Sequence, residues 1–62
     1  MPIVQIQMLE GRTEGEKKML MERVCDAVSE TLNVNKDMVR IIITEVPKRN
    51  WSVGGRPLSE KD

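Results

Sequence analysis

Two segments in which apolar residues alternate flank one long segment of helical periodicity, and this order constrains the fold more than any other feature of the chain. In residues 2–9, Pro2, Val4, Ile6 and Met8 fall on one face of an extended strand, and Ile3, Gln5, Gln7 and Leu9 on the other. In residues 38–46, Val39, Ile41 and Ile43 alternate with Arg40, Ile42 and Thr44, which makes this the strongest strand in the sequence. Between them, Leu20, Val24, Ala27, Val28, Thr31 and Leu32 recur at helical spacing, and Met21 and Cys25 widen the stripe. Thr13 followed three residues later by Glu16 is a capping box, so the helix runs over about 13–32 with Asn33 as a left-handed stop. Its charged residues, Lys17 and Asp26 among them, fall mostly on the remaining surface.

Strand, helix and strand in that order form a βαβ unit, so the two strands should be parallel with a right-handed crossover. Residues 35–37 read as a short turn, Pro47 ends the second strand, and residues 48–50 form a polar loop. Residues 51–53 suggest a third short strand, and Gly54-Gly55 allows a tight bend or hairpin. Residues 59–62 read as a frayed tail. The fold class is α+β: a single domain over residues 1–62, with two parallel strands, one long helix and a short C-terminal hairpin or strand.

A chain of 62 residues buries only about 60 % of its unfolded surface and is marginal alone. The single Cys25 excludes an internal disulfide, and with no His a structural zinc site lacks ligands, so no metal is expected. Oligomerisation is the remaining remedy, and it would extend the two-stranded sheet and cover its Ile-rich second face. Ten basic and ten acidic residues balance, which argues against nucleic acid or a membrane surface as partner. One aromatic, Trp51, leaves no platform for stacking bases. The start lacks the pattern of a signal peptide, and the cysteine usage suits a reducing cytosol, so a cytoplasmic location is expected.

The candidate chemistry begins at Met1-Pro2. Removal of an initiator methionine before proline would leave Pro2 as a free secondary amine, both base and nucleophile; within a peptide bond the same nitrogen has no usable lone pair and donates nothing. The chain has no His and no Tyr, so few other groups could move protons near neutral pH. Arg40 interrupts a run of β-branched residues and reads either as a solvent-facing arginine whose stem covers apolar surface or as one holding a carboxylate bidentately. Arg12, after Gly11, is either a solvated loop charge or a guanidinium within reach of a neighbouring subunit. Trp51 is a packing anchor or the wall of an apolar pocket, and Cys25 is core packing.

Taken together, residues 2–12 (PIVQIQMLEGR), 39–46 (VRIIITEV) and 51–55 (WSVGG) resemble the 4-oxalocrotonate tautomerase family, over residues 2 to about 58. The resemblance implies a β-α-β subunit in a homo-oligomer, usually a hexamer built as a trimer of dimers, that needs no cofactor. It implies Pro2 as general base, converting a 2-hydroxydienoate such as 2-hydroxymuconate into its 2-oxo-enoate isomer. Arg40 matches the arginine that binds the 2-oxo acid end, Arg12 the one that grips a distal carboxylate, and Trp51 the apolar wall where the family commonly has Phe. To act at neutral pH the amine must be largely deprotonated. An arginine about 6 Å away, at an effective dielectric of about 20, disfavours the ammonium by about 2.8 kcal/mol. Related dehalogenases and hydratases add a carboxylate that activates water. Val53 is apolar where that acid would stand, which leaves Glu10 or Glu45 of another subunit as substitutes. Were Met1 retained, the alternative is a non-catalytic oligomeric module.

Overall fold

The computed structural model describes residues 1–60 and has the expected strand–helix–strand order. Strand β1 spans Ile3–Leu9, helix α1 Glu14–Leu32 and strand β2 Arg40–Val46; strands β3 (Ser52–Val53) and β4 (Arg56–Pro57) form a hairpin. β1 and β2 are parallel, with Ile3 opposite Arg40 and Leu9 opposite Val46. Among the described residues no helix is long and apolar enough to cross a membrane.

Both ends of α1 are set by the residues that the sequence marks. Thr13 Oγ1 accepts the Glu16 N–H at 3.1 Å while Glu16 Oε1 accepts the Thr13 N–H at 3.0 Å, closing a reciprocal capping box. At the other end Asn33 is left-handed (φ 55°, ψ 49°), and Ser29 Oγ donates to the Val34 carbonyl at 2.6 Å. The turn before β2 is a 3-10 turn over Lys36–Met38, capped by the Asn35 side chain, so β2 begins at Arg40, two residues later than the alternation alone suggests. Gly54 and Gly55 both have positive φ (62° and 81°), the requirement of a two-residue hairpin turn of the primed type.

The helix covers one face of the sheet. Val4, Ile6 and Met8 of β1 and Ile41 and Ile43 of β2 are half-buried there, and Val39, at 9 % exposure, is the one buried hydrophobic residue among the described residues. The helix contributes Leu20, Met21, Val24, Cys25 and Val28 to this contact, all half-buried. Ala27, Thr31 and Leu32, expected in the same stripe, are exposed, although Val28 between them is half-buried. Lys17, expected on the solvated side, is half-buried: its stem lies along the sheet margin and its ammonium meets Glu45.

The opposite face of the sheet is bare, with Ile3 62 % and Ile42 48 % exposed. The accessible surface is 5117 Å², against about 4,100 Å² for a compact monomer of this mass. Residues 58–60, partly assigned to the frayed tail, form a 3-10 turn that closes on the hairpin through a 2.8 Å bond from the Leu58 N–H to the Trp51 carbonyl. The rest of that tail, residues 61 and 62, lies outside the described residues.

Candidate active site

Pro2 and Arg40 meet where the parallel strands begin. A proline at this position costs the ladder nothing, since it needs to offer only its carbonyl, which accepts the Arg40 N–H at 3.0 Å. Pro2 is half-buried and Arg40 exposed. The Arg40 guanidinium turns back to the preceding 3-10 turn, where Nη1 donates to the Asp37 carbonyl at 2.6 Å. Arg40 therefore matches the solvent-facing description in this subunit, with one edge of its fork held and no other side-chain partner among the described residues.

Arg12 and Trp51 meet where the strands finish. Leu9 ends β1, Glu10 N–H still reaches the Val46 carbonyl at 3.1 Å, and Gly11 then turns at φ 127°, a conformation that residues with a side chain rarely adopt. That turn delivers Arg12 to the mouth of a concavity of about 530 Å³, which Gln7, Leu9, Glu10 and Trp51 also line. Trp51 arrives there because Pro47 stops β2 and the 3-10 turn Lys48–Asn50 folds the chain back. The concavity has an apolar wall and a guanidinium, a combination suited to a small unsaturated acid.

The two pairs are far apart within one subunit. They bracket the seven residues of β1, which span about 23 Å at the usual rise of a strand.

Two charged groups near the finishing end escape the sequence pattern. Glu16, legible only as a cap, also brings Oε2 to 3.7 Å from Arg12 Nη1; the four-residue spacing on the helix entrance is the signal that could have found it. The N–H of Thr13, and secondarily Arg12, hold the Glu16 carboxyl below its ordinary pKa. Lys17 bridges Glu45 at 3.0 Å and Glu14 at 3.2 Å, and these bonds, Glu45 first, raise its pKa. Glu45, considered above as a water-activating carboxylate, is thus already paired with an ammonium.

With this geometry in view, comparison with known proteins is decisive. The family model for tautomerase enzymes matches residues 2–61, starting at Pro2. The chain belongs to the tautomerase family. It is 43 % identical over 60 residues to the 2-hydroxymuconate tautomerase of Pseudomonas putida, covering 97 % of this chain and 95 % of that one. The crystal structure of a 4-oxalocrotonate tautomerase homologue superposes with a TM-score of 0.94 at 32 % identity, covering 100 % of this chain and 98 % of the other. A heterohexamer 4-oxalocrotonate tautomerase from Chloroflexus aurantiacus gives 0.92 at 37 % identity, covering all of both chains. This tautomerase-family chain is accordingly an isomerase with the β-α-β fold of that family.

Proposed function

We propose that this chain interconverts a 2-hydroxydienoate of the 2-hydroxymuconate type and its 2-oxo-enoate isomer, with Pro2 as the general base once Met1 has been removed. The observation that carries the reading is the position of Pro2. It is the residue at which the family match begins, it stands at the head of β1, and its carbonyl is held by Arg40. The identity to a 2-hydroxymuconate tautomerase supports the substrate class.

In this reading the Pro2 amine takes a proton from one position of the conjugated acid and returns it at another. Negative charge passes onto the dienolate in between, and the Arg40 guanidinium stabilises it. Arg12 holds the distal carboxylate and Trp51 forms the apolar wall. A small dienoate is far shorter than β1, so Pro2 and Arg12 act on one molecule only when they come from different subunits. The bare sheet face and the roughly 1,000 Å² of surface beyond that of a compact monomer suit such an assembly. The heterohexameric relative makes a hexamer the first state to test. The pairing of Glu45 with Lys17 weighs against Glu45 as the acid of a hydratase or dehalogenase, which leaves Glu10, in the lining of the concavity, as the carboxylate that such a reading would need.

Intact mass of the native protein, together with turnover of 2-hydroxymuconate, tests the reading. The mass should lack Met1, and Pro2→Ala should lower kcat/KM by about 10²-fold or more. A Pro2→Ala enzyme with unchanged kcat/KM, or a fully active protein that keeps Met1, would refute it.

A further inference from the structure

Glu16 does two separable things. Through Oε1 it closes the capping box with Thr13, and through Oε2 it stands 3.7 Å from Arg12. Glutamine closes a capping box as well as glutamate does, so the cap alone does not require a negative charge at this position. At 3.7 Å with both side chains more than half exposed, the contact is too long to lock Arg12 by a hydrogen bond. The cap instead fixes a carboxylate beside a guanidinium that remains free to turn toward the concavity shared with Trp51. Among the described residues Glu16 is the one carboxylate paired with Arg12.

We propose that Glu16 sets the substrate specificity of this subsite: its fixed charge offsets that of Arg12 and weakens the subsite's preference for a second carboxylate on the substrate. This rests on the assignment of Arg12 to a distal carboxylate. With Glu16 the pair carries no net charge, so a substrate with one carboxylate remains competitive with a dicarboxylate. Without it the subsite becomes one unit more positive, with Glu10 in its lining unchanged, and its preference shifts toward the dianion. A glutamate is ionised at neutral pH in any case and the Thr13 N–H lowers the Glu16 pKa further, so the offset is present throughout the neutral range. Glu16 is a positioning residue, since it acts on substrate through Arg12.

The test is steady-state ketonisation by the purified native oligomer, wild type and Glu16→Gln, of 2-hydroxymuconate and of a 2-hydroxydienoate bearing one carboxylate, at low and high salt. Glu16→Gln keeps the cap and should raise the dicarboxylate-to-monocarboxylate ratio of kcat/KM about threefold at low salt, through KM, with the gain shrinking at high salt. An unchanged or lower ratio overturns the proposal, and a shift in melting temperature alone would mean that the charge serves only the helix. Arg12→Ala provides the separate control. If it leaves the wild-type ratio intact, the assignment of Arg12 is itself wrong. If it collapses the ratio while Glu16→Gln leaves the ratio unmoved, only the inference about Glu16 fails. In the double variant, Glu16→Gln should produce no gain.

Discussion

Where β1 and β2 begin, the chain is tied by the bond between Arg40 and Pro2 and by the turn that holds the Arg40 guanidinium, and Met1, Ile3 and Ile42 lie exposed around them. Where the strands finish, several independent contacts converge: the capping box of Thr13 and Glu16, the bridge from Lys17 to Glu45, and the bond from Leu58 to the Trp51 carbonyl. In the proposed function the starting end carries the base and its arginine beside an uncovered sheet face, whereas the finishing end carries the subsite for the distal carboxylate. A base needs an environment that removes water and supplies charge, and the starting end alone provides little of either. The proposed function therefore requires the finishing end of one subunit to complete the starting end of another.

Substitutions at the two ends should therefore fail differently. Pro2→Ala has the largest expected effect. Arg40→Ala should follow, lowering kcat by about 10²-fold because it removes charge that counts most as the dienolate forms. Arg12→Ala should act mainly on KM, raising it about tenfold for a dicarboxylate, since the distal group is held equally in ground and transition states. A larger fall in kcat from Arg12→Ala than from Arg40→Ala would break the division of labour. Mixing tests the composite site directly. Pro2→Ala and Arg12→Ala subunits, denatured together and reassembled, should regain intact sites at about one position in four if each site draws on two subunits. Activity no greater than the sum of the separately reassembled variants would mean that each site is built within one chain.

Gly11 joins the strand to the receptor, and its substitution should have an intermediate effect. At φ 127° an added Cβ meets no atom within 4 Å, so the penalty of Gly11→Ala is conformational rather than steric. It should cost about 1–3 kcal/mol of stability and raise KM by displacing Arg12, with kcat less affected. A variant with unchanged melting temperature and KM would show that the turn does not set the arginine.

Much of the starting end is legible in the alternation of residues 2–9 and 38–46, because period marks the two strands and the strand–helix–strand order makes them parallel. The finishing end is less so. Thr13 and Glu16 announce the cap and Gly54-Gly55 the hairpin, but no pattern announces that Leu58 closes onto Trp51, since that bond joins backbone groups. Lys17 departs from its expected solvated position because helical periodicity assigns a residue to a face and does not see a long stem reaching around it. Thr31 and Leu32 keep the apolar period yet are exposed at the end of α1, which at 19 residues is longer than a seven-residue strand, whereas Ala27 is exposed beside the half-buried Val28. Pro2, Arg12, Arg40 and Trp51 are conspicuous as residues, and the strand over residues 2–9 already separates Pro2 from Arg12, but the pairing of Pro2 with Arg40 emerges only from the register.

The bridge of Lys17 to Glu45 and Glu14 should produce the smallest effect, and one confined to the finishing end. Hydrogen bonds to Glu45 and then Glu14 raise the Lys17 pKa, so the folded state binds this proton more tightly than the unfolded chain. Its contribution is therefore complete below the ordinary lysine range and is lost as the pH rises through the raised folded value. Stability at neutral pH should be insensitive to pH on this account, with a decline at strongly alkaline pH. Lys17→Met keeps the apolar stem over the sheet margin and removes the charge, so its melting temperature should be lower near neutrality and converge on that of the wild type at alkaline pH. The shift should be small, since the ammonium lies at the margin and salt screens the pair. Parallel melting curves across the whole range would mean that the stem, and not the charge, ties α1 to the end of β2.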